Sequence, residues 1–364
     1  MKWKEALNEM NPYKPGRSIE EVKDLYSLKE VVKLASNENP YGCASSVMEF
    51  LTSSSMPFQI YPDGHATNLR SELSEKHGVD EGSILFGNGS DEIISIISRA
   101  LLDNQTHTIM PAPTFPQYAH NAKIEGADFT EIPLSDGGHD LDAFLSAINE
   151  RTSVIWICNP NNPTGNLIPS DELKRFLSKV PENILVVLDE AYFEYVTDPN
   201  NIDSIRLVDD YPNILVLRTF SKAYGLASFR LGYAVGSPTV VTELNKVRNP
   251  FNNNSLALAM ASVALKDDEF IEECRRKNEI QRGRYKDFAS ENKIHIFDSQ
   301  TNFVLMEVPC DADEATEFLL QKGYIVRSGN ALGTPNYVRI TIGTEEQNTG
   351  VFHALDLLLK EKGR

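Results

Sequence analysis

At 364 residues, 41% of them hydrophobic and with no low-complexity tract, the chain is too long for one ordinary core and too apolar to be disordered. Its 35 basic against 52 acidic residues give a net charge of -17, which repels nucleic acid and anionic membrane and leaves any anionic ligand dependent on a local basic pocket. The four scattered cysteines, Cys43, Cys158, Cys274 and Cys310, fit neither a disulfide framework nor a metal spacing, so no metal is expected; with no apolar stretch of spanning length and a charged start, a soluble cytoplasmic protein is expected.

In chain order, residues 1–35 carry no strong pattern and are expected to form an arm and a piece of a smaller domain. A large domain is expected over 36–250, where β-branched runs alternate with helical patterns, the sign of an α/β fold with a mostly parallel sheet flanked by helices. After Gly89, the polar start Ser90-Asp91-Glu92 and the apolar positions Ile93, Ile96, Ile97, Ala100 and Leu101 predict a helix docked on a sheet. The runs 154–157, 184–188 and 214–217 are nearly continuous in apolar residues, as strands buried on both faces are. Residues 251–364 are expected to form the smaller α+β domain, with a long helix over 268–292 and strands at 294–296, 303–305 and 338–340.

Open parallel sheets bind ligands beyond the carboxyl ends of their strands, and Asn159, Asp189 and Ser221-Lys222 fall at such ends. A lysine amine is nucleophilic only when neutral; burial beside Arg230 would lower the pKa of Lys222 by desolvation and like-charge repulsion. The helix start at Gly89, Ser90 and Asp91 offers free N–H groups to an anion. It is not a dinucleotide fingerprint, because Glu92 stands where the third glycine is required, and no P-loop occurs.

Segment 219–233, with Ser221-Lys222 and Arg230, resembles the lysine motif of the fold-type I, class I/II aminotransferases. Asn159-Pro160-Asn161-Asn162-Pro163-Thr164-Gly165, Asp189-Glu190-Ala191-Tyr192, Pro113-Thr114-Phe115 and Tyr61-Pro62-Asp63-Gly64 resemble further segments of that family. The resemblance implies a pyridoxal 5′-phosphate (PLP) cofactor held by Lys222 as a Schiff base. Asp189 would pair with the pyridine nitrogen, while Asn162 and Tyr192 would bond the phenolic oxygen. Phe115, where many relatives carry tyrosine, would stack on the ring. Gly89, Ser90, Asp91, Thr219, Ser221 and Arg230 would cradle the phosphate. Tyr61 would reach the cofactor of a neighbouring subunit, which implies a homodimer with shared sites.

Within that family the segments 11–16, 35–42, 325–329 and 337–343 are similar to the histidinol-phosphate branch. The branch implies transamination between L-histidinol phosphate and 2-oxoglutarate, giving imidazole-acetol phosphate and L-glutamate, in histidine biosynthesis. Arg327 and Arg339 would take the substrate's phosphate or carboxylate, Asn37 and Asn162 would face the substrate, and Tyr13 would close over it. Threonine-phosphate decarboxylases and aromatic amino-acid aminotransferases share these features and stay open as readings. A DNA-binding regulator on the same fold would need an appended head and is not expected, since residues 1–35 carry no helix-turn-helix pattern.

Overall fold

The computed structural model describes residues 1–8, 10, 12 and 16–362. Tyr13 and most of the 11–16 segment lie outside them. A short strand, β1 (Val32–Lys33), is followed by the seven strands of the main sheet. These are β2 (Ile84–Gly87), β3 (His107–Ala112), β4 (Asp128–Pro133), β5 (Thr152–Cys158), β6 (Leu185–Asp189), β7 (Ile214–Thr219) and β8 (Gly232–Gly236). They lie in the order β2-β8-β7-β6-β5-β3-β4, with β3 to β7 all parallel and β8 antiparallel to both of its neighbours.

Four strands follow: β9 (Phe303–Glu307), β10 (Tyr324–Ile325), β11 (Arg327–Ser328) and β12 (Tyr337–Thr341). The smaller unit is an antiparallel sheet, β11-β12-β9. β10 pairs in parallel with β1, which ties the N-terminal segment to this unit.

Because helices cover both faces of the main sheet, successive residues of a strand enter different cores. Ile155, Ile157, Val186, Leu188 and Val216 lie in the first core, and Val154, Trp156, Val187, Leu215 and Leu217 in the second. Each such fully buried side chain contributes roughly 1.5–3 kcal/mol, which explains the unbroken apolar runs.

The helix Ser90–Leu101 starts where its polar cap is expected and buries Ile93, Ile94, Ile96 and Ile97 against the second core. Ala100 is exposed, and Leu101 is half-buried, packed against the same core. Asp268–Asn292 is one helix of 25 residues, capped by the Asp267 side chain. It begins on the first core, where Phe270 and Ile271 pack, and ends in the core of the smaller unit, where Tyr285, Phe288 and Ala289 join Val304, Met306, Val338 and Ile340 of β9 and β12.

The helix Ser255–Ala264 buries Ala257, Met260 and Ala261 in the first core. One expectation needs correction. Residues 294–296 form no strand: the chain leaves the long helix through a left-handed Lys293 and makes a single bridge, Ile296 with Met306. No helix among the described residues is long and apolar enough to cross a membrane.

Candidate active site

A cavity of about 390 Å³ opens beyond the carboxyl ends of β5, β6 and β7. Parallel pairing sets Cys158 beside Asp189 at the ends of β5 and β6, and both line it. Asp189 is 3% exposed. Its Oδ2 accepts from Tyr118 Oη at 2.7 Å and its Oδ1 from the Ala191 N–H at 3.2 Å. Burial pushes its carboxyl up to about 6 even though both hydrogen bonds favour the anion. Among the described residues, no Lys, Arg or His side chain forms an ion pair with it.

Lys222 lies just past β7, and its Nζ donates to the Ser36 carbonyl at 3.0 Å. Burial lowers its pKa to about 8; the next cause is the Arg339 guanidinium, while Glu38 and Asp91 act the other way. The repulsion expected from Arg230 is present but ranks below that of Arg339.

The Tyr192 Oη accepts from Asn37 Nδ2 at 3.0 Å and Asn162 Nδ2 at 3.3 Å. Asn162 Oδ1 in turn accepts from Arg339 Nη1 at 2.5 Å, and Arg339 Nη2 donates to the Ala35 carbonyl at 2.8 Å. One polar chain thus joins both sheets: Asn37 also accepts from Thr341 Oγ1 of β12, at 3.1 Å. Arg339 and Arg327 are direct partners across β12 and β11 and both line the cavity. Like charges placed opposite one another in a sheet repel, so this end of the cavity favours an anion.

At the other end the helix Ser90–Leu101 presents its first amides. Arg230 Nη1 donates to Ser221 Oγ at 3.1 Å, and its Nη2 lies 3.4 Å from Asp91 Oδ2. Gly89 has φ +80°, and a Cβ there would sit 2.5 Å from Arg230 Nη2, so glycine is needed at this close approach. Ser90, Asp91, Thr219 and Ser221 line this corner. Thr219 Oγ1 is turned to the backbone, accepting from the Ser221 N–H at 3.1 Å. Phe115, half-buried, lines the wall and meets Tyr118 edge-on at 5.8 Å.

Residues 29–355 match the family model described as aminotransferase class I and II. The chain belongs to that family. It is 53% identical over 363 residues to the histidinol-phosphate aminotransferase of Lysinibacillus sphaericus, covering 100% of this chain and 99% of that one. With the enzyme of the same name from a Geobacillus species it shares 51% over 362 residues, again 100% and 99% of the two chains. Among solved structures, the histidinol-phosphate aminotransferase of Sinorhizobium meliloti in complex with pyridoxal-5′-phosphate superposes with a TM-score of 0.89, at 25% identity and covering 99% and 98% of the two chains.

In this member of the aminotransferase family, then, the cavity gathers Lys222, Asp189, Tyr192, Asn162, Asn37, Phe115, Arg327 and Arg339 with the Ser90–Arg230 corner. It does not gather Tyr61, which is 78% exposed and stacked on Phe251 at 4.8 Å. Tyr13 lies outside the described residues. Tyr118 received no role from the sequence, although it stands three residues after Phe115 on the next helix, Gln117–Glu125. Its stacking on Trp156 of β5 at 4.9 Å is a tertiary contact that no local pattern signals. Arg17 and Lys33 at the cavity's edge were likewise unassigned.

Proposed function

We propose that this cavity binds pyridoxal 5′-phosphate and exchanges an amino group between L-histidinol phosphate and 2-oxoglutarate, forming imidazole-acetol phosphate and L-glutamate. The observation that carries the reading is the convergence of Lys222 and Asp189 on one cavity with Arg327 and Arg339 at one end and Arg230 at the other. Relatives named for this activity, at about half identity over the whole chain, support it.

The donors present suit the cofactor. Asp189 is a buried carboxylate with no basic ion-pair partner among the described residues, so a protonated ring nitrogen is its natural complement. The helix start at Ser90, Ser221 and Arg230 suits a phosphate. The Asn162 and Tyr192 side chains would hold the phenolic oxygen, with Phe115 against the ring face.

When bound, the cofactor supplies a protonated pyridine ring that takes up the electron pair freed at the substrate Cα. Asp189 keeps the proton on that ring nitrogen. Lys222 Nζ would hold the resting cofactor, give way to the substrate amine and, once freed, take the proton from the substrate Cα and pass it to C4′ of the cofactor. With a pKa of about 8, a useful fraction of Lys222 is neutral near physiological pH. Arg327 and Arg339 would receive phosphate in one half-reaction and carboxylate in the other, since both anions accept paired N–H donors.

A homodimer with Tyr61 reaching the neighbouring subunit's cofactor phosphate, working in the cytoplasm, completes the proposal. Glutamate formation from histidinol phosphate and 2-oxoglutarate tests it. Turnover dependent on both substrates is expected; release of carbon dioxide, or no glutamate at all, would overturn it.

A further inference from the structure

Behind the sheet, one residue along from each end that borders the cavity, lies an ion pair that the chemistry above does not use. Arg218 and Glu190 have side chains only 2% and 3% exposed. Arg218 Nε and Nη2 both donate to Glu190 Oε2, at 2.9 and 2.5 Å, and Nη2 also donates to Asp203 Oδ1 at 2.8 Å. The guanidinium lies over the Phe193 ring, 3.5 Å from its centroid. The fork is thereby fixed in plane and in rotation.

The sequence positions give this pair its meaning. Glu190 follows Asp189, and Arg218 precedes Thr219, the start of the segment leading to Lys222. Strand alternation sends Val216 and Arg218 to the first-core face and Leu217 to the second, where Tyr118 holds Asp189. The backbone adds one clasp, the Glu190 N–H to the Leu217 carbonyl at 2.9 Å. Beyond it the ladder between β6 and β7 ends, so the side-chain pair is what ties the two strand ends where the cofactor's partners emerge. A buried ion pair is about as stabilising as a well-packed apolar pair, so stability alone does not account for it.

We propose that Arg218 and Glu190 are positioning residues: clamped behind the sheet, they set the spacing between the Asp189 carboxylate and the segment that carries Thr219, Ser221 and Lys222. The inference rests on the function proposed above. Its consequence is that ring nitrogen and amine are met by one rigid frame, and small displacements of such a frame are felt strongly.

The test compares the wild type, the apolar double variant Glu190→Leu/Arg218→Met and the charge-keeping Arg218→Lys. Thermal midpoints are read on the cofactor-free proteins. After loading with PLP, the cofactor dissociation constant and the pH midpoint of the visible absorption band are read. The double variant should keep a near wild-type thermal midpoint, bind the cofactor about tenfold more weakly, and show a midpoint raised by about half a pH unit or more as Asp189 loses its hold on the ring proton. A double variant with wild-type affinity and midpoint would reduce the pair to a packing role and overturn the proposal. Should the double variant not fold, Arg218→Lys decides in the same way: one ammonium cannot reproduce the fork, and an unchanged spectrum would overturn the proposal. A wild type that takes up no cofactor would instead sink the function reading and this one with it.

Discussion

The Tyr118 hydroxyl donates to Asp189 Oδ2 at 2.7 Å while its ring stacks on Trp156 at 4.9 Å, so the carboxylate at the cavity floor is held by a side chain rooted in the second core. This bond favours the ionised carboxylate against the cost of burial. Tyr118→Phe keeps the stack and removes the bond. A kcat about tenfold lower is expected, the size of one hydrogen bond to a charged group, with an unchanged thermal midpoint to within a few degrees. Steady-state kinetics with a melting curve check it.

Asp189→Asn keeps the shape of the floor but cannot hold a cation. Transamination about 10²–10³-fold slower is expected, as for other losses of a preorganised charge at a reacting centre. Single-turnover rates on the PLP-loaded variant provide the measurement.

Two buried carboxyls give the cofactor-free chain an unusual dependence on pH. Burial raises Asp189 from 3.8 to about 6 and Glu194 from 4.5 to about 7. Between the lower and upper values the folded chain holds protons that the unfolded chain has released, so the stability they contribute is full below about pH 4 and is lost as pH rises through 6 to 7. Relative to wild type, Asp189→Asn and Glu194→Gln should therefore gain stability between pH 4.5 and 7. Urea midpoints of the cofactor-free proteins at both pH values report it; a constant difference would contradict the assignment.

The apolar residues Phe58, Ile60, Tyr61 and Phe251 are all exposed, and Tyr61 and Phe251 stack on each other. If this surface meets a second copy, the wild type elutes at twice the chain mass and Phe251→Asp elutes as a monomer. Tyr61→Phe should stay dimeric yet bind PLP roughly tenfold more weakly, through one lost hydrogen bond to phosphate. Size exclusion and cofactor titration separate the two effects.

Much of this was legible in the sequence because the relevant signals are local. The strands ending at Cys158, Asp189 and Thr219 are marked by the nearly continuous apolar runs 154–157, 184–188 and 214–217, and helix 90–101 announces its cap. Tyr118, by contrast, acquires its partner 71 residues away only through the sheet. Arg339, which outranks Arg230 as the repulsive neighbour of Lys222, comes from another sheet altogether. The 294–296 segment carries β-branched residues yet makes one bridge, because pairing depends on a partner strand that propensity does not see.

The most direct measurement is borohydride reduction of the PLP-loaded protein followed by peptide mass mapping. The account predicts a yellow protein, bleached by borohydride, with the reduced cofactor's mass on the peptide containing Lys222 and none on Lys222→Ala. A colourless protein, or a label fixed at another lysine, would contradict it.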